Sequence, residues 1–217
     1  MRRFVIIAGG KMVDYQWHAK VLQPGDYIIC ADGGANHAVK LGVVPHLVIG
    51  DMDSIDPRVE DSLRSKGCEF RAFPREKDKT DTQLALEEAV LRGAGEILLL
   101  GALGDRLDHT LANILLLIPW SSRGIRVRLV DENHEAQVVT GPASFAVMGE
   151  TGDTVSLLPL TPTVKGIDLE GFYYPLSKAT LRMGETTGIS NELVAPTGRI
   201  KLETGTLLVA LTRKGTS

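Results

Sequence analysis

Leu47-Val48-Ile49-Gly50-Asp51-Met52-Asp53-Ser54 places two carboxylates two residues apart directly after an apolar run. Val48 and Ile49 are β-branched and read as the end of a buried strand. Gly50 then lets the backbone turn sharply, so that Asp51 and the residues after it leave the sheet at its carboxyl edge. In open α/β sheets that edge is where ligands bind. Two neighbouring acids repel unless something positive lies between them, and a hard divalent cation carrying phosphate meets that need. The alternative is structural, with Asp51 or Asp53 forming an Asx-type cap for the helix that Pro57 begins. The stretch alone leaves both readings open.

Working outward, the same pattern recurs on both sides. Phe4 to Ala8 is a continuous apolar run ending at Gly9-Gly10, as a strand buried on both faces reads. The glycines lack the GxGxxG spacing of a dinucleotide fingerprint but leave room for a nucleotide phosphate nearby. Asp26 to Ala31 is a second such run, and Asp32-Gly33-Gly34 opens a helix to about Leu41, with Asn36 one turn after Asp32 and on its side. After Asp51 and Asp53, Asp56-Pro57 begins a helix to about Lys66, and Cys68 to Phe73 reads as a strand. Arg75 to Asp81 then gathers three cations and three acids ahead of a helix whose apolar face carries Leu84, Ala85, Ala89 and Leu91. Glu96 to Leu100 is the most apolar strand. Gly101 to His109 comes next, and then a helix with Leu111, Ile114, Leu115 and Ile118 on one face, stopped by Pro119. Arg106, Asp108 and His109 fall in that loop and first turn, where a helix N-terminus favours anions. A loop histidine of this kind also serves as an ordinary structural group.

From Ile125 the helical pattern gives way to short alternating runs punctuated by glycine, proline and threonine, the texture of a sandwich or barrel. The expected architecture is therefore an α/β domain with a mainly parallel, Rossmann-like sheet over residues 1–132, followed by an all-β sandwich over 133–217. One segment of the second half stands apart: Gly184 to Glu192 is rich in hydroxyl and amide groups suited to a neutral organic ligand.

The 217 residues carry a formal net charge of -3 with both signs interspersed. No basic stripe offers itself to nucleic acid or to an anionic membrane. Cys30 and Cys68 lie in apolar runs and read as reduced thiols. The apolar run after Met1-Arg2-Arg3 is too short for a signal peptide or a membrane span. A soluble, cytoplasmic protein is the expectation.

ADGGAN at Ala31 to Asn36, GDMDS at Gly50 to Ser54, EKDKTDTQLAL at Glu76 to Leu86, GALGDRLDHTLAN at Gly101 to Asn113 and TTGISNE at Thr186 to Glu192 closely resemble, in order and spacing, the bacterial thiamine pyrophosphokinases. The resemblance implies an N-terminal α/β catalytic domain, a C-terminal β-sandwich, and a homodimer with thiamine at the subunit interface. It also implies the reaction of ATP with thiamine to give AMP and thiamine pyrophosphate. On that footing Asp51, Asp53 and Asp81 are assigned to one or two Mg²⁺ ions, and Asp32 to orienting or deprotonating the thiamine hydroxyl. Lys77, Lys79 and Arg106 are assigned to the polyphosphate, with Asn36, Thr80, Asp108 and His109 completing the ATP wall. Ser190 and Asn191 match the thiamine pocket. Two positions depart from the family pattern, Gly104-Asp105-Arg106 in place of Gly-Gly-Arg and Gln83 in place of Glu. Rival readings are a nucleotide-sugar transferase, which also uses an acid-x-acid pair after a strand, and a ligand sensor without chemistry.

Overall fold

The computed structural model describes residues 2–104 and 106–215. The chain divides into two compact units, residues 1–116 with 125–132, and residues 117–124 with 133–217.

The elements in chain order begin with β1 (Arg2–Ile7), α1 (Tyr15–Val21), β2 (Tyr27–Ala31), α2 (Gly34–Lys40), β3 (Leu47–Gly50), α3 (Pro57–Ser65) and β4 (Glu69–Ala72). They continue with α4 (Asp81–Leu91), β5 (Ala94–Leu100), α5 (Leu107–Leu115), α6 (Ile118–Ser121) and β6 (Arg126–Val130). In the first unit the strands run in the order β6-β5-β1-β2-β3-β4, each pair parallel. Phe4, Val5, Ile6 and Ile7 have no exposed surface, as helices on both faces of a parallel strand require. Each such side chain contributes about 1.5–3 kcal/mol of burial.

Register decides where the loops emerge. Ile7 lies opposite both Cys30 and Leu100, Ala31 opposite Ile49, and Gly50 opposite Ala72. Ala8, Asp32, Asp51 and Gly101 therefore leave the sheet at one edge. The chain moves outward from β1 through β2, β3 and β4, then returns to β5 on the other side of β1. The connections after β1 and β5 thus diverge, and a crevice opens between them at the sheet's carboxyl edge. The dinucleotide-binding order is 3-2-1-4-5-6, whereas this one is 4-3-2-1-5-6, with four strands on one side of the break and two on the other.

The second unit holds β7 (His134–Thr140), β8 (Ala143–Met148), β9 (Thr154–Pro159), β10 (Thr163–Glu170), β11 (Leu176–Arg182), β12 (Asn191–Glu192), β13 (Thr197–Leu202) and β14 (Thr206–Thr212). Two antiparallel layers, β12-β9-β14-β7 and β11-β10-β13-β8, enclose one core that includes Val155, Leu157, Val164, Ile167, Ile200 and Val209.

Local chemistry accounts for the elements that sequence patterning misplaces. α1 falls in a stretch where the sequence signal for a helix is weak; the Asp14 side chain caps it by accepting from the Trp17 N–H at 2.8 Å, and its His18 is fully buried. β13 alternates exposed and buried along Thr-Gly-Arg-Ile-Lys-Leu, a half-buried strand masked by its charges. Leu91, expected on the buried face of α4, is 81% exposed. Pro119 does not stop α5, which ends at Leu115; it stands in the first turn of α6, where its missing N–H costs nothing.

Candidate active site

Asp32 follows β2 in the left-handed region, φ +43°, with its N–H donating to the Ile49 carbonyl at 2.9 Å. Asp can occupy that region because its short polar side chain bonds locally. Gly50, φ +151°, allows the next loop to come close. A Cβ there would stand 2.9 Å from Asp32 Cβ and 3.1 Å from Asp81 Cγ, so any side chain would force these acids apart. Asp32, Asp51 and Asp53 each offer an oxygen within 4.8 Å of the other two. The Asx turn is real, with the Asp53 N–H donating to Asp51 Oδ1 at 3.3 Å, but the cap of α3 is Asp56, which accepts from the Arg58 N–H at 2.8 Å. Asp51 and Asp53 are therefore not consumed in starting a helix.

Asp81, the first residue of α4, stands beside Gly50 but outside that three-acid group. Burial pushes its carboxyl above the usual range; Lys77 opposes the shift, and the charges of Asp32 and Asp51 add to it. Burial acts in the same direction on Asp51, but there the Asp53 N–H and Lys77 outweigh it and hold the carboxyl low. Lys77 Nζ lies 3.1 Å from Asp81 Oδ1 and 3.6 Å from Asp51 Oδ2. Asp81 Oδ1 is buried with Lys77 as its partner, whereas Asp32 Oδ1 is buried with no hydrogen-bond donor. A buried carboxylate oxygen without a donor, in an all-oxygen group, fits a hard divalent cation.

Beside the acids, the crevice between the β1 and β5 loops forms a cleft of about 390 Å³, within the range that small ligands occupy. Asp32, Thr80, Asp81, Arg106 and His109 line it, as do Gly9, Gly10, Lys11 and Gly101 to Gly104. Asn36, Lys77, Lys79 and Asp108 are not among the residues that line it. The Asn36 amide donates to the Ser54 carbonyl at 2.9 Å and accepts from the Asp56 N–H at 3.0 Å, so it ties down the loop that carries Asp51 and Asp53. Lys79 pairs with Glu87 at 2.7 Å, and Asp108 with Arg106 at 2.7 Å. Thr80 caps α4 by accepting from the Gln83 N–H at 3.2 Å. Gln83 donates to Glu87 at 3.1 Å, a contact that a glutamate there would turn into repulsion. Asp105 lies outside the described residues. Lys11 and the Gly101–Gly104 backbone are the additions to the expected set; the Gly-Gly ending of β1 is the sequence signal that points to them.

In the second unit, Ser190 has φ +58° and its N–H donates to Ser156 Oγ at 3.1 Å. Asn191 is buried, and both ends of its amide are used: Oδ1 accepts from the Tyr174 and Glu192 N–H groups, and Nδ2 donates to the Tyr174 carbonyl at 2.8 Å. It pins a turn that presents Tyr173 and Tyr174, each 63% exposed and in edge contact at 4.9 Å.

An acidic rim beside a cleft at the divergence of two parallel-sheet loops is where an α/β sheet binds its ligand, and the carboxylates suit one that arrives with a hard cation. Residues 18–129 match the family model described as thiamin pyrophosphokinase, catalytic domain, and residues 144–207 match its vitamin B1 binding domain. The chain belongs to the thiamine pyrophosphokinase family. It is 30% identical over 182 residues to the thiamine pyrophosphokinase of Bacillus subtilis, covering 83% of this chain and 85% of that protein. The crystal structure of the Bacillus subtilis protein superposes with a TM-score of 0.88 at 26% identity, over 98% of this chain and 100% of the other. The thiamin pyrophosphokinase structure from Geobacillus thermodenitrificans gives a TM-score of 0.83 at 28% identity, over 100% and 99%. The family's reaction is ATP-dependent pyrophosphorylation of thiamine, and the sugar-nucleotide reading is set aside.

Proposed function

We propose that this chain transfers the terminal pyrophosphoryl group of ATP to thiamine at the acidic rim, with Mg²⁺ held by Asp32, Asp51 and Asp53. The observation that carries the site assignment is the convergence of these three carboxylates, each with an oxygen within 4.8 Å of the others, with Asp32 Oδ1 buried and without a donor. The thiamine hydroxyl oxygen forms a bond to the β-phosphorus, the bond from that phosphorus to the oxygen bridging to the α-phosphate breaks, and AMP leaves while the hydroxyl gives up its proton. Bound Mg²⁺ would supply positive charge to the polyphosphate oxygens. Lys77, held between Asp51 and Asp81, offsets the acids' charge so that an anionic tail can approach. Arg106 and His109 line the cleft that receives the nucleotide.

Thiamine is assigned to the second unit. The Tyr173–Tyr174 pair offers an exposed aromatic surface for its rings, fixed by Asn191, and Ser190 lies beside that residue in sequence. A homodimer is supported by α5, where Leu107, Leu111 and Leu115, four residues apart, are 71%, 50% and 52% exposed. Such a ridge suits a second copy of the chain better than water. Among the described residues no helix is long and apolar enough to cross a membrane.

The test is an assay with ATP, Mg²⁺ and thiamine, scored for nucleotide product. AMP and thiamine pyrophosphate in equal amounts are expected; ADP would show transfer of a single phosphoryl group and overturn the reading.

A further inference from the structure

Polyphosphate carries several negative charges, and its binding depends on the cations around it. Lys77 stands among the acids, ion-paired to Asp51 and Asp81. Among the described residues, the lysine and arginine that line the cleft are Lys11, from the β1 side, and Arg106, from the β5 side and paired with Asp108. Lys11 stands at the divergence of the two loops, with its backbone against Gly104: a Cβ on Gly104 would meet the Lys11 nitrogen at 3.4 Å. Gly10 is fitted just as closely, because a Cβ there would collide with the Gly101 carbonyl oxygen, and its own N–H donates to that oxygen at 2.8 Å.

A side-chain relay fixes this loop from behind. His37, on α2, meets the Gly10 carbonyl through Nε2 at 2.9 Å and the Tyr15 hydroxyl through Nδ1 at 2.6 Å. A carbonyl can only accept, so Nε2 carries the proton and Nδ1 receives the tyrosine O–H. Burial lowers the His37 pKa, the Gly10 contact opposes that, and the neighbouring Lys40 and His18 add to the lowering, which favours the neutral ring. The chain of contacts runs from α1 through α2 to the peptide that precedes Lys11.

We propose that Lys11 is a polyphosphate-binding residue of the nucleotide cleft, and that Tyr15 and His37 are the positioning residues that hold its loop in register. The proposal rests on the reading of that cleft as the ATP site. A lysine ammonium is a compact point charge suited to phosphate, and a closely held backbone reduces the ordering that binding would otherwise require.

Steady-state kinetics on the full chain test it, with ATP and thiamine varied separately. Lys11→Met is expected to raise KM for ATP about tenfold or more, while kcat changes less than threefold and KM for thiamine is unmoved; Lys11→Arg restores most of the loss. Tyr15→Phe, which cuts the first link of the relay, is expected to raise KM for ATP in the same direction. The double variant Tyr15→Phe/Lys11→Met should be no worse than Lys11→Met alone, since both act through one charge. Thr110→Trp, which fills the cleft, separates the possible failures. If it raises KM for ATP while Lys11→Met does not, the cleft reading stands and Lys11 is overturned. If neither variant moves KM for ATP, the cleft reading and the proposal both fall.

Discussion

Asp81 shows how a single residue carries the tension of this site. Its carboxyl sits above the usual range because it is buried and faces Asp32 and Asp51, against the pull of Lys77. A raised folded-state value means the protonated form is favoured by folding. That stabilisation is complete below the unfolded pKa near 4 and is lost as pH rises through the folded value. Ionised Asp81 therefore weakens the fold at neutral pH. Asp81→Asn is expected to melt higher than the parent chain at pH 7 in EDTA, with the difference closing below about pH 4. Thermal melts across that pH range check this. Asn36 carries the opposite lesson. The sequence places it correctly on the acid side of α2, but its partners lie 18 and 20 residues away, at Ser54 and Asp56, and no local pattern reveals that the amide is spent on them.

Among the elements, α4 depends on its first turn. Thr80 supplies the cap and Asp81 the following carboxylate, so the same helix start sets both stability and the acid's position. Thr80→Ala is expected to cost about 1 kcal/mol in urea unfolding, and Thr80→Ser to recover most of it. On α5 the four-residue spacing of Leu107, Leu111 and Leu115 is legible as an apolar face, yet that face is exposed. Periodicity identifies an apolar stripe but not what covers it. If a second copy covers it, Leu111→Glu should shift the sedimenting species to monomer at micromolar concentration. A parent chain that sediments as monomer would contradict the dimer. The strands of the first unit are readable because continuous Val, Ile and Leu runs have few other fates. α1 and β13 are not, because seven residues are too few for a clear helical period and lysine and arginine obscure the alternation of β13.

At the scale of the whole molecule, the change of texture near residue 130 reflects two units with separate cores, and each has its own family match. The strand order is beyond sequence reading, since it depends on which strands pair, yet it is what brings the loops after β1, β2, β3 and β5 to one edge. Separate units predict separable losses. Asn191→Ala removes the clamp on Tyr174 and should raise KM for thiamine and cost about 1–3 kcal/mol of stability. Metal and nucleotide binding in the first unit should be retained, as calorimetry with AMP and Mg²⁺ would show. The claim on which the rest depends is that Asp32, Asp51 and Asp53 hold a divalent cation, and anomalous diffraction from crystals grown with Mn²⁺ measures this most directly. An anomalous peak among these three carboxylates is the expected result; a well-occupied peak elsewhere, with none among them, would contradict it.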